Sequence, residues 1–155
     1  MEFRVTKEND ILELSSWFKT QVEIKNWGGP LVRFPFTLDQ FKKDIGFNII
    51  TSYSLVQNNE LLGFIQIFDK FGCSHIGRVI VNPKKRSSGL GLKLIQSLFQ
   101  KYKDTNQNYS LFVYKHNSIA INLYKKLGFE IESNSTEYEN ENNCFFMQKQ
   151  ITPKK

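Results

Sequence analysis

The spacing of apolar positions changes period along this chain, and each period predicts an element. Residues 2–6 alternate apolar with charged or polar side chains, the two-residue period of a half-buried strand. From Asn9 or Asp10 as cap through Thr20, a helix is expected, with Ile11, Leu14, Trp17 and Phe18 on one face. The stretch 24–38 holds Trp27-Gly28-Gly29-Pro30 and Phe34-Pro35-Phe36, follows no period and is expected to be the least regular region. Thr37 then caps a short helix through about residue 45. Runs at 49–57 and 61–69 read as strands joined by the hairpin signal Asn58-Asn59-Glu60. A fourth strand is expected near 74–81, stopped by Pro83, which has no N–H to give a ladder.

Beyond it, Leu90, Leu94, Ile95, Leu98, Phe99 and Tyr102 recur on one face of a helix over 89–103, while Lys93, Gln96, Gln100 and Lys101 face outward. A fifth strand is predicted at 109–114, and a helix from Asn117 ends at Gly128 as a left-handed cap. Strands near 129–133 and 143–150 close the chain, with the polar stretch 133–143 as a surface loop between them. Strands in hairpins, then a strand-helix-strand crossover, then a helix and a closing hairpin predict an α/β (α+β) fold. Its sheet is mixed and mostly antiparallel, of six to seven strands, with helices on both faces. At 155 residues the chain is expected to form a single domain, 1–155.

Composition narrows the function classes. The formal net charge is +6, but the Lys and Arg residues are scattered, with small clusters at 84–86, at 125–126 and at the tail. No long basic helix or aromatic-rich RNA motif accompanies them, so neither nucleic acid nor a membrane surface is the expected partner. The N-terminus lacks an apolar signal region and no window reaches the length of a membrane span, so a cytoplasmic protein is expected. Cys73 and Cys144 have no His or Cys at metal-ligand spacing and read as packing residues; no metal is expected. The terminal Pro153-Lys154-Lys155 reads as a frayed end.

The most informative run is Val79-Ile80-Val81-Asn82-Pro83-Lys84-Lys85-Arg86-Ser87-Ser88-Gly89-Leu90-Gly91-Leu92-Lys93, where an apolar strand passes through basic residues and glycines into a helix. Glycines let backbone approach an anion closely, and the first N–H groups of a helix have no partner inside it, so such a turn can cradle a pyrophosphate. A strand-to-helix turn with a solvated basic collar is the plain alternative.

Arg86-x-x-Gly89-x-Gly91 resembles the acetyl-CoA signature of the GCN5-related N-acetyltransferase (GNAT) family, and a second hallmark follows in order. After the strand Leu111-Phe112-Val113-Tyr114 come Asn117, the small residue Ala120, and Leu123-Tyr124-Lys125-Lys126-Leu127-Gly128-Phe129. The resemblance is strong over about 76–129, and vaguer on either side. It implies a sheet splayed between strands four and five, acetyl-CoA as co-substrate, and acetyl transfer to an amine of a small molecule or peptide. The cofactor residues it implies are Val79, Ile80 and Val81, then Arg86, Ser87, Ser88, Gly89, Leu90, Gly91 and Leu92, with Asn117, Ala120 and Tyr124. Dimers are common in the family.

Acetyl transfer from a thioester needs a neutral amine, stabilisation of charge on the carbonyl oxygen, and a proton for the leaving thiolate. The resemblance points to backbone N–H groups near Val81 for the oxyanion and to Tyr124 for the proton. Tyr124 reads equally as an aromatic packing between helix and sheet, and Asn117 as a helix cap. His75 lies eleven positions before Arg86, where one branch of the family carries a glutamate base; it is a candidate base, or a structural histidine on a strand. Glu23 is a weaker candidate on the acceptor side, or a solvated charge. The irregular segment with Trp27, Arg33 and Phe34 is the candidate acceptor site, with Arg33 suited to a carboxylate; a hydrophobic lid packed on the core, with Arg33 in solvent, is the alternative. An acyl-CoA-binding domain without catalysis is the rival function.

Overall fold

The computed structural model describes residues 1–132 and 143–151. The expected surface loop at 133–143, but for Asn143, and the frayed tail lie outside the described residues. Among the described residues seven strands, β1 (Glu2–Val5), β2 (Thr51–Gln57), β3 (Glu60–Lys70), β4 (Cys73–Val81), β5 (Tyr109–Tyr114), β6 (Glu130–Ile131) and β7 (Cys144–Lys149), hydrogen-bond in the order β1-β2-β3-β4-β5-β7-β6. The helices are α1 (Glu8–Ser15), α2 (Gln21–Gly28), α3 (Leu38–Asp44), α4 (Leu90–Lys101) and α5 (Ser118–Lys126). β4 and β5 pair in parallel through Ser74–Tyr109, His75–Ser110 and Ile76–Leu111, whereas β1 with β2, β2 with β3, β5 with β7 and β6 with β7 run antiparallel. This is the mixed, mostly antiparallel sheet expected from the order of elements.

The chain divides into two compact units, 1–67 with 78–101 and 68–77 with 102–155. In the first, Ile11, Leu14, Phe18, Ile24, Val32, Phe41, Ile45, Leu61 and Phe64 form the buried core, with Trp17, Trp27, Phe34 and Phe36 packed against it. Each buried large apolar side chain contributes about 1.5–3 kcal/mol, and the Phe18, Trp27, Phe36 and Phe41 rings stack or tilt onto one another at centroid distances of 4.7–6.2 Å. The second unit has its own aromatic cluster, in which Phe71, Phe112 and Phe146 surround His75 or each other.

Two expectations at the N-terminal end require correction. The first helix starts one residue before Asn9 and stops at Ser15; Asp10 sits in its first turn, where its carboxylate accepts the Lys7 N–H at 2.8 Å and pairs with Arg4 at 2.6 Å. The stretch from 24 is not irregular from its start, because α2 occupies Gln21–Gly28. Thr20, expected as the last residue of the first helix, caps the second: its hydroxyl accepts the Glu23 N–H, and the Glu23 carboxylate accepts the Lys19 N–H at 2.9 Å. These two bonds satisfy donors on either side of the helix start and let α2 begin after a five-residue connection from α1.

Candidate functional site

The glycine-containing turn is built from β4 outward. At the end of β4, buried Asn82 donates its backbone N–H to Leu62 O and its amide to Leu61 O, while its Oδ1 accepts the Lys84 N–H. These bonds tie the strand end to β3 and start a 3-10 turn at Pro83–Lys85. The chain then takes φ +64° at Ser87 and +79° at Gly89, and α4 begins at Leu90. The Ser88 hydroxyl donates to Lys85 O and holds the turn closed. Lys93 N–H is bonded to Gly89 O, so the amides of Leu90, Gly91 and Leu92 lie in the helix's open first turn.

A Cβ placed on Gly89 would meet no protein atom within 4 Å. The protein itself therefore leaves space at this point of the turn, space that a phosphate group fits. Lys84, Lys85 and Arg86 are exposed around it. Lys85 pairs with Glu60 at 3.2 Å, while Arg86 has no ion pair among the described residues. The helix that carries the turn is anchored by buried Leu90, Leu94, Ile95 and Leu98. Gly63 on β3 permits the close approach on that side, because a Cβ there would lie 3.3 Å from Ile80 O and 3.2 Å from a Leu94 methyl.

Within β4, Arg78 adopts φ +49°, a conformation disfavoured for a residue with a side chain. Its guanidinium donates to Gly28 O at 3.2 Å, Gln66 Oε1 at 2.9 Å and Ile45 O at 3.4 Å. Its carbonyl accepts the Trp27 indole N–H at 2.9 Å. Trp27 is thus fixed at its polar edge by β4 and on its faces by Phe18, Phe41 and Phe64. Arg33 is held by Asp44, which accepts from its Nε at 2.9 Å, from its Nη2 at 3.0 Å and from its backbone N–H at 3.1 Å. That bond raises the Arg33 pKa and lowers that of Asp44. Phe34 meets Phe36 edge-on at 5.9 Å, so the three residues assigned to the acceptor are also engaged within the first unit.

In the second unit, the Asn117 side chain accepts the Ala120 N–H at 3.2 Å as the cap of α5. Ala120 is half-buried, and Gly128 follows the helix at φ +98°. Tyr124 is buried with its ring edge-on to Phe129 at 5.9 Å, and burial pushes its phenol up to about 12. His75 is enclosed by Phe68, Phe71 and Phe112 at 5.2–5.7 Å, and its Nδ1 shares a 2.8 Å hydrogen bond with Ser110 Oγ. Burial, assisted by the charge of Lys70, pushes its pKa down to about 4. An imidazole so placed is neutral at pH 7 but a weak base.

Arg78, Asn82, Gly63 and Asp44 did not emerge from the sequence as site residues. A lone cation in an apolar strand run, Ile76-Gly77-Arg78-Val79, was the available signal for the first, and the Asn-Pro dipeptide for the second. Nothing local marks the partners of Arg78, which lie 12 to 50 residues away in sequence.

The same arrangement of elements occurs in solved acetyltransferases. The PaiA N-acetyltransferase of Thermoplasma acidophilum, in complex with coenzyme A, is 18% identical with a TM-score of 0.69, over 97% of this chain and 100% of that one. The ribosomal-protein-alanine N-acetyltransferase of Brucella melitensis is also 18% identical, with a TM-score of 0.70 and the same coverage of 97% and 100%. An aminoglycoside acetyltransferase in complex with coenzyme A and kanamycin is 21% identical, with a TM-score of 0.72 over 96% and 93%. At such identities the likeness shows the fold. The sequence model of the acetyltransferase (GNAT) family, however, matches residues 13–129, a span that takes in both the glycine turn and the segment from Asn117 to Phe129. On that match the chain belongs to the GNAT family of acetyl-CoA-dependent N-acetyltransferases.

Proposed function

We infer that this enzyme moves an acetyl group from acetyl-CoA to a primary amine of a small molecule or peptide, by direct attack of the amine in a ternary complex. The observation that carries the reading is the turn at 86–92, where open first-turn amides, a positive-φ glycine with empty space over it and an unpaired Arg86 among the described residues favour a pyrophosphate. Acetyl-CoA supplies the activated thioester. Backbone N–H groups at Val79, Ile80 and Val81 are assigned to the pantetheine arm and to the charge that develops on the carbonyl oxygen. Asn117 and Ala120 are assigned to the cofactor as well, with the capping bond of Asn117 retained.

Tyr124 is assigned as the proton donor to the departing thiolate. Its raised pKa keeps the phenol protonated across the physiological range. His75, the other candidate, is too weakly basic in its aromatic enclosure to favour the role, so water is assigned the proton of the amine. Trp27 and Phe34 are proposed to shape the acceptor side, with Arg33 available to a carboxylate only by leaving Asp44. Solved relatives are named for spermidine, aminoglycosides and ribosomal-protein alanine, which supports keeping both small amines and peptides in the class.

The test is thiol release from acetyl-CoA against a panel of polyamines, amino sugars, amino acids and peptide N-termini. At least one amine should raise the rate. Tyr124→Phe should bind acetyl-CoA normally yet turn over about 10²-fold more slowly, the scale of general acid catalysis. If acetyl-CoA binds and no amine accelerates thiol release, the rival reading as an acyl-CoA-binding domain takes its place.

A further inference from the structure

We propose that Arg78 is a positioning residue that holds β4 in its kinked conformation and so sets the direction of the Val79, Ile80 and Val81 amides. The inference rests on the acetyl-transfer reading for its catalytic consequence, but the clamp itself stands on geometry. A side-chain-bearing residue inside a strand at φ +49° is strained and persists only where surrounding contacts over-determine it. Here the over-determination is visible. One guanidinium reaches the last residue of α2 through Gly28 O, the residue after α3 through Ile45 O, and β3 through Gln66. The carbonyl of the same residue takes the indole N–H of Trp27, one position before Gly28. Gln66 is itself fully buried and fixed, donating to Ile45 O at 2.8 Å and Ser52 Oγ at 3.0 Å.

Two consequences follow from this closed set of bonds. The direction of the amides after the kink depends on a side chain rather than on local sequence, because Val79, Ile80 and Val81 have ordinary strand preferences. The acceptor-side segment is also tied to the same point of β4, since Trp27 and Gly28 form both ends of the clamp on α2. An acceptor pressing on Trp27 would therefore act on the strand that is to hold the thioester carbonyl.

Three variants separate clamp from strain: Arg78→Gly relieves the positive φ and removes the guanidinium, Arg78→Lys keeps the charge but not the fork, and Trp27→Phe keeps an aromatic ring but removes the indole N–H together with its five-membered ring. Amide hydrogen exchange at residues 79–81 should speed up by about tenfold or more in Arg78→Gly, with Trp27→Phe moving in the same direction. Exchange at residues 111–113 of β5 serves as the internal reference and should not change. In parallel, thiol release from acetyl-CoA with hydroxylamine as the acceptor should show a kcat lowered by about tenfold or more, with the CoA dissociation constant nearly unchanged. Wild-type exchange at 79–81 in both Arg78→Gly and Trp27→Phe would overturn the clamp. Faster exchange with an unchanged kcat would overturn its role in catalysis. A wild-type enzyme that binds acetyl-CoA but gives no thiol release above background would sink the acetyl-transfer reading, while the exchange data still decide the clamp.

Discussion

His75 shows how burial, assisted by the nearby charge of Lys70, sets the chemistry of a residue. Its ring lies among three phenylalanines with one hydroxyl partner, and its pKa is depressed to about 4 from an ordinary value near 6.5. The unfolded chain therefore binds a proton between these values that the folded protein does not. Stability attributable to His75 is complete above about pH 6.5 and is lost as pH falls towards 4. Between pH 7.5 and 5 that loss amounts to ~2 kcal/mol. Urea denaturation at the two pH values should show this extra decrement in the wild type and not in His75→Gln. Equal decrements would mean that the imidazole is not held neutral by the fold. Tyr124 obeys the same physics with opposite consequence, since burial of a phenol keeps the proton that a donor must possess.

At the scale of elements, the N-terminal third depends on caps more than on length. Helices α1, α2 and α3 have seven or eight residues each, too short to persist alone in water. Thr20 with Glu23 starts α2, and Thr37 starts α3 with Gln40, whose side chain accepts the Thr37 N–H at 3.0 Å. Thr20→Ala should therefore cost about 1 kcal/mol, read as a lower urea midpoint, even though the residue is exposed. A change within a few tenths of a kcal/mol would show that packing of Ile24 and Trp27 fixes the helix start without help. Glu23, a candidate on the acceptor side by sequence, has its carboxylate engaged in this cap.

On the scale of the whole molecule, the family assignment makes ligand binding part of stability. CoA at a hundred times its dissociation constant stabilises a folded protein by about 2.7 kcal/mol, and for a chain of this size each kcal/mol raises Tm by about 2–4 °C. A CoA-induced rise of about 5–10 °C is expected. Gly89→Val should lose it, because the side chain would fill the space over the turn and strain a φ of +79°. Retention of the full shift by this variant would displace the phosphate site from the turn at 86–92. Among the described residues no helix is long and apolar enough to cross a membrane.

What the sequence determined by itself was local or periodic. The strand-turn-helix at 79–103 was readable because alternation, a proline stop, two glycines and a helical apolar stripe each act within a few residues. The hairpin at Asn58 and Asn59, both at positive φ, and the caps at Thr37 and Asn117 were readable for the same reason. The Thr20 hydroxyl that caps α2 and the Glu23 carboxylate beside it were equally local signals, yet the first helix expected from the sequence runs through Thr20 and leaves α2 unpredicted. Tertiary structure alone decided the rest. Whether His75 is a base depends on Phe68, Phe71, Phe112 and Ser110, which only strand pairing gathers round it. Whether Arg33 is free for a ligand depends on Asp44, and the kink at Arg78 depends on Gly28 of α2, Ile45 just after α3 and Gln66 of β3. Desolvation and long-range hydrogen bonds are properties of the neighbours that a fold supplies, and no spacing within one segment encodes them.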